Sequence, residues 1–454
     1  MEDLMRKILD GIEAKYAEVR YIKVLGEEVV VKNGVVEGVS SSEEGGIAVR
    51  IINEGVGFAA TNRMDKVEDA VRVAEKLSRK GNGNVPFSQE KTYEDSWSVE
   101  EKKKIENMAL EEKIKYLLDI DRALKAPMKI QALHDKIVEK IYMNSEGTLI
   151  RARIPRVEYF YMMGVMVDGN FEQSYRQYGI TGGYEIFDMY DLKGILLEEE
   201  EALTKVAKAK KSPEGVFDLV IGPEVAGIIA HESCGHPSEA DRILGREAAQ
   251  AGESFIEPDM VGERIGSEIV NVVDDPTIEH SFGYYRYDEE GIPARRRYLY
   301  KEGRINEFLH NRESAGKMGV HSNAAARSSS WNREPIARMS TTFFEPGDYS
   351  FEELVEDVKM GIYMKSFTEW NIDDIRYNQK YVGREAYLIE NGEIKEPVKR
   401  PVLEITTPGF YSRVDAIGKD LEFYAGTCGK GDPMQGVDVW MGGPHIRLRN
   451  VKMR

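Results

Sequence analysis

The chain has 454 residues, 41% of them hydrophobic, a formal net charge of −17 and two cysteines, Cys234 and Cys428. That length suggests two or three domains with real cores, and the strong negative charge excludes a general nucleic-acid backbone binder. Two cysteines exclude a disulfide framework, and no apolar run approaches the roughly 18 residues of a membrane-spanning helix. Residues 1–7 lack the apolar core of a signal peptide, so the expectation is a soluble cytoplasmic protein with no membrane partner.

Residues 2–16 place Leu4, Met5, Ile8, Leu9 and Ile12 at helical spacing, and residues 17–24 read as a strand. Asn33-Gly34, between two valine runs, is a hairpin turn, because it supplies the positive φ of a type I′ turn. Residues 47–52 and 57–60 form a second hairpin. A helix capped by Asp65 follows, with Val67, Ala70, Val71, Ala74 and Leu77 facing the core and Gly81 ending it. Gly81-Asn82-Gly83-Asn84 marks a first boundary. Residues 98–123 read as one long charged helix with a break near Asn107. After Pro127 the period changes to two, giving a meander of strands up to Tyr178, closed by Gly182-Gly183-Tyr184. A helix over 192–211 leads to the second boundary at Ser212-Pro213-Glu214-Gly215. Residues 216–221 are a strand, and Pro223 opens a helix. Beyond Asp259 the chain reads as strand-rich, with one short helix over 351–360. The expected fold is α+β, in three units. Residues 1–95 form an N-terminal α/β layer with antiparallel hairpins, 96–215 a central long helix and β-meander, and 216–454 a β-rich C-terminal unit.

The chemistry concentrates in Ile228-Ile229-Ala230-His231-Glu232-Ser233-Cys234-Gly235-His236. Neutral imidazole suits zinc, and a glutamate beside the first histidine can take a proton from metal-bound water. The helical zinc-protease motif spaces its histidines by four. Here the spacing is five, about 500° of rotation, which leaves the rings roughly 140° apart on a regular helix. The helix must therefore widen into a π-turn or end before His236. Two readings stand on these residues: a metal pair, or a hydrogen-bonded cluster closing a helix. A catalytic metal needs a third protein ligand. Glu239, Asp241, Cys234 and Cys428 are the candidates, the last on a glycine-flanked loop beside Lys430.

Together, His231-Glu232-x-x-x-His236 and Gly426-Thr427-Cys428-Gly429-Lys430 resemble the TldD/PmbA family of intracellular metalloproteases, on its TldD side. The resemblance extends through Asp274-Asp275-Pro276-Thr277, the turn from Asp288 to Pro293, Glu345-Pro346-Gly347 and Glu385-Ala386-Tyr387. It implies zinc on His231, His236 and Cys428, with Glu232 as general base. It also implies a dimer, with a TldE/PmbA-type paralogue or with itself, that cuts unfolded peptides. This chain departs from the family pattern at Pro237 and at Gly431-Asp432-Pro433-Met434-Gln435, where relatives carry glycine and a nearby Gly-Gln. Recognition is expected along a strand edge. Gly182-Gly183 and the region after Asp259 are candidates for it, although plain turns and core strands explain both. Two rivals remain: a non-catalytic, zinc-stabilised partner subunit, and a cysteine hydrolase using Cys428.

Overall fold

The structure is a computed structural model and describes residues 1–81, 83, 85–246, 253–431 and 433–454. Asn82 and Asn84 of the expected first boundary, and Asp432 of the loop after Cys428, lie outside the described residues. The fold is mixed α+β, as the sequence pattern predicts.

A seven-stranded sheet forms the N-terminal half. Its spine is three long strands, Tyr16–Lys32, Met128–Asn144 and Leu149–Val167, with Val35–Ile52 and Val56–Thr61 on one side and Asn170–Thr181 on the other. Lys32 pairs with Val35 across Asn33 (φ 46°) and Gly34 (φ 77°), the predicted type I′ geometry. Helices Glu2–Asp10 and Val67–Ser78 bury Met5, Ile8, Val67 and Ala74 against Val19, Ile47, Val49 and Ile51. Val67–Ser78 ends before Gly81, and Leu77 is exposed rather than core-facing. Helices Leu110–Ala123 and Leu192–Lys208 share a second core with Val29, Leu133, Val157 and Tyr159. The sheet takes strands from both sides of residue 95, because Tyr16–Lys32 pairs along its length with Met128–Asn144.

The long helix expected over 98–123 begins only at Leu110. Residues 94–98 are a strand instead, parallel to Leu149–Val167. Upstream of Leu110, Glu101 accepts from Ile105 N and pairs with Arg153, and Lys103 N donates to Glu185. These tertiary contacts pin an irregular segment whose apolar residues are off the helix face. The Glu112 carboxylate accepts the Ala109 N–H and starts the helix proper.

The C-terminal half holds a ten-stranded and a six-stranded sheet around the largest core. Strand Gly215–Ile221 lies inside the ten-stranded sheet, parallel to Met360–Met364 and antiparallel to Ile446–Met453. The six-stranded sheet ends in the hairpin Glu422–Lys430 and Gln435–Gly443. Strands between 259 and 345 are shorter than expected, such as Val272–Asp274 and Ala326–Arg327. Buried side chains such as Arg297 satisfy loop carbonyls there in place of a ladder. The last predicted helix shortens to Phe351–Val355, closed at its start by a Ser350–Glu353 capping box.

Candidate metal centre

Helix Pro223–Ala230 starts with proline in its first turn and is buried on every side. It crosses the six-stranded sheet closely, because Gly227 has no side chain. A Cβ there would stand 2.8 Å from Gly442 N. The glycine thus admits the backbone of the strand paired with the one that carries Cys428.

The helix then widens. Residues His231–Gly235 form a π-turn, with the His236 N–H donating to the His231 carbonyl five residues back. This is the irregularity that the histidine spacing demands. It brings the two rings to 4.9 Å between centroids at 82°. Ser233 Oγ donates to Ile229 O at 2.6 Å and meets the Tyr411 hydroxyl at 2.9 Å, while Tyr300 donates to Ser233 O. Gly235 packs against Met339, whose Sδ a Cβ would approach to 1.8 Å.

Cys428, on strand Glu422–Lys430, comes to the same point. Its Sγ lies 3.5 Å from His236 Nε2, and the ligand atoms of His231, His236 and Cys428 all fall within 4.8 Å of one another. All three side chains are buried, and His231 Nδ1 has no hydrogen-bond partner. Two imidazoles and a thiol so placed are a metal-binding donor set, and tetrahedral ligands on ~2.0–2.3 Å bonds sit about as far apart as this cysteine and His236. Burial alone would push the Cys428 thiol up, but His236, Arg338 and His231 hold it well below the usual thiol range. That is the ionisation a thiolate ligand needs.

The other candidate third ligands take different roles. Cys234 is packed in the core, and burial raises its thiol well above the usual range. Glu239 Oε2 sits 3.1 Å from His236 Nδ1 and also accepts from Arg242 Nε at 2.6 Å. Asp241 pairs with Lys430 Nζ at 2.6 Å. The Lys430 ammonium is 3.2 Å from Glu239 as well. Arg338 donates to the Cys428 carbonyl and, at 2.9 Å, to Gln435 O, fixing both strands of the hairpin.

Glu232 opens onto a cleft of about 500 Å³ together with the two histidines and Cys428. Its Oε2 accepts from Arg376 Nη1 at 2.9 Å and its Oε1 from Trp370 Nε1 at 3.2 Å. Sequence reasoning missed both donors. They lie on a hairpin some 140 residues downstream, and no spacing pattern ties them to the histidines. Two of the cleft walls are segments 173–177 and 424–429, from strands Asn170–Thr181 and Glu422–Lys430. Gln177 Nε2 donates across to Thr427 Oγ1 at 3.2 Å. Gly182-Gly183 is a closed turn instead. A Cβ on Gly183 would stand 2.1 Å from Lys103 O.

Family models for the three domains of PmbA/TldA metallopeptidases match residues 17–78, 103–210 and 214–454. A metalloprotease of Methanocaldococcus jannaschii is 33% identical over 443 residues, 95% of each chain. A metalloprotease of Methanothermobacter thermautotrophicus is 33% identical over 456 residues, 99% of this chain and 98% of that one. A protein named zinc metalloprotease TldD homolog, from Saccharolobus solfataricus, is 27% identical over 98% of both chains. In fold, the chain is similar to the crystal structure of TldE from Thermococcus kodakarensis, with a TM-score of 0.76 at 17% identity over 100% of this chain and 99% of that one. With a family model over more than half its length and relatives matched end to end, the chain belongs to the PmbA/TldD family of metallopeptidases.

Proposed function

We propose that this chain is a TldD-type, zinc-dependent peptidase that hydrolyses unfolded or unstructured peptides, with His231, His236 and Cys428 as metal ligands and Glu232 as general base. The observation that carries this reading is the convergence of two imidazoles and a depressed thiol beside a glutamate at the wall of a cleft. A purely structural zinc site has four protein ligands and no use for a base. Here three donors cluster and a carboxylate stands beside them.

Zinc, when bound, supplies a water ionised near neutral pH and polarises the scissile carbonyl. Glu232, at the cleft beside the ligands that would hold zinc, is the group that would accept a proton there and return one to the leaving amine. Glu239 holds the outer nitrogen of His236, so that Nε2 is turned to the cysteine. Trp370 and Arg376 keep the Glu232 carboxylate in one orientation. Strands Asn170–Thr181 and Glu422–Lys430 each have a single strand partner among the described residues, and both line the cleft. Each offers main-chain groups to an extended peptide, which favours backbone over side-chain recognition. The protein works in the cytoplasm as a dimer, with a TldE/PmbA-type paralogue or a second copy. Fold likeness to TldE supports that kinship. No described helix is long and apolar enough to cross a membrane.

Metal analysis and turnover of the purified chain test this reading together. Zinc at about one equivalent, activity lost to a chelator and restored by zinc, and a Glu232→Ala variant that keeps metal but loses turnover are the expected results. Activity that survives the chelator points to Cys428 as a nucleophile instead.

A further inference from the structure

Glu232 meets both its donors at once, and one of them is a cation. Arg376 is 8% exposed, and Glu232 is its one carboxylate partner among the described residues. Its Nε is buried without a hydrogen-bond partner. Its backbone is left-handed, with φ 67°, in the turn between strands Phe367–Ile372 and Asn378–Gly383. Residues with a Cβ adopt that conformation uncommonly, and such outliers gather at functional sites. The turn is braced. Arg376 N donates to Asp373 O, the Asp373 carboxylate accepts from Tyr377 N and Asn378 N, and Thr407 Oγ1 donates to Arg376 O at 2.8 Å. The side chain is therefore aimed at the cleft by its backbone.

We propose that Arg376 is the catalytic cation that stabilises the oxyanion of the peptide carbonyl. The inference rests on the peptidase reading above and supplies its missing oxyanion donor. The placement of Arg376 carries it: a buried guanidinium with an unpartnered Nε lines the same cleft as His231, His236 and Cys428. When the water oxygen bonds to the carbonyl carbon, the C=O π pair moves onto oxygen and one water proton passes to Glu232. The new oxyanion then lies in the cleft that this guanidinium lines. On collapse the C=O bond re-forms, the C–N bond breaks and Glu232 returns its proton to the amine. The remaining water proton follows to the amine as the new carboxylic acid ionises. The other arginines lining the cleft are committed elsewhere. Arg176 pairs with Glu224 at 2.7 Å, and Arg384 with Glu199 at 3.2 Å and Glu224 at 3.5 Å.

The test compares zinc-loaded full-length protein with Arg376→Gln and Arg376→Lys. One probe is a phosphinic pseudopeptide, a tetrahedral anion. The other is the uncharged ketomethylene pseudopeptide of the same sequence. Calorimetry should show Arg376→Gln binding the phosphinate about 100-fold more weakly, with the ketomethylene ligand within a few-fold and zinc content unchanged. With a cleavable peptide, kcat should fall about 10²–10³-fold at nearly constant KM, Arg376→Lys should fall between, and added guanidinium should partly restore Arg376→Gln. Equal loss for both pseudopeptides, or no loss, overturns the proposal. If Arg376→Gln fails to fold, Arg376→Lys decides by the same selective loss of phosphinate affinity. A Glu232→Ala variant that still turns over sinks the peptidase reading and this inference with it. An inactive Glu232→Ala beside a fully active Arg376→Gln sinks only the role of Arg376.

Discussion

His236 Nδ1 and Glu239 Oε2 lie 3.1 Å apart, three residues from each other in sequence, and that pairing turns His236 Nε2 toward Cys428. It recurs in metal sites because a carboxylate behind an imidazole fixes the tautomer and raises its basicity. Lys430, His236 and Arg242 outweigh the effect of burial and hold the Glu239 carboxyl well below its usual range. Glu239→Gln should weaken zinc binding about 10–100-fold, measured by competition with a chromogenic chelator. Glu239→Ala should in addition cost about 3–5 kcal/mol in denaturant unfolding, because it leaves Lys430 and Arg242 buried without that charge.

The two cysteines separate cleanly by environment, one depressed beside the histidines and one raised in the core. Cys428→Ser should lose tight zinc binding, and His231→Ala and His236→Ala should do the same. Cys234→Ser should keep zinc and lose only stability, since it puts a hydroxyl into an apolar core. Metal content after gel filtration decides. Zinc retained by Cys428→Ser and lost by Cys234→Ser would overturn the ligand assignment.

Gly227 sets two effects against each other. Alanine in a helix interior gains about 1 kcal/mol over glycine in propensity. The added Cβ would stand 2.8 Å from Gly442 N and 3.0 Å from its Cα, both backbone atoms that cannot rotate away. Overpacking of this kind costs about 1–3 kcal/mol, so the clash wins. Gly227→Ala should unfold at lower denaturant. It should also bind zinc more weakly, because it parts the helix that bears His231 from the hairpin that bears Cys428. A variant as stable as the parent would show that the sheet yields without strain.

The sequence made the histidine pair of the candidate metal centre legible, because ligands impose spacing. Five residues between His231 and His236 require a widened turn, and the π-turn is there. Asn33-Gly34 likewise announces its hairpin through φ alone. The remainder depended on tertiary contacts. Residues 99–108 look helical by composition but are held irregular by Glu101, Lys103 and their partners. Arg376 and Trp370 reach Glu232 across a fold that no local pattern encodes. The strand pairing that joins residues 16–32 to 128–144 is equally long-range. Alternation reveals such strands, but it does not reveal their neighbours.

His310 gives a pH signature from outside the candidate ligand set. It is buried, and burial pulls its pKa down to about 4, with Glu307 and Asp241 opposing weakly. The folded state keeps it neutral, while the unfolded chain takes up a proton below about pH 6.5. The unfolded state therefore binds more protons between these values, and stability falls as pH drops through that window, by about 3 kcal/mol from this residue. Above pH 6.5 its contribution is constant. His310→Gln should flatten the acid limb of a stability-versus-pH curve between pH 6.5 and 4. An unchanged slope would mean that His310 gains its proton without unfolding.

On the peptidase reading, a cleft flanked by two strands constrains what can be cut. Two of its walls come from Asn170–Thr181 and Glu422–Lys430, and the candidate metal ligands are each buried beneath them. On the peptidase reading, a carbonyl reaches that point on a chain lying extended along these walls, with its backbone groups free to pair. A folded domain cannot offer about six extended residues without opening locally, and opening costs up to its global stability of roughly 5–15 kcal/mol. Cleavage of a stable native protein should therefore be slower than that of its denatured form by the opening equilibrium, more than a thousandfold for about 5 kcal/mol. Short unstructured peptides should be cut with weak sequence preference. The check is a digest of one substrate protein, native and irreversibly unfolded, followed by mass spectrometry beside a peptide library. Equal rates on the two forms would refute the buried cleft as the site of cutting. No cutting of either by the zinc-loaded chain alone, with activity appearing when a TldE-type partner is added, would show that the partner completes the walls.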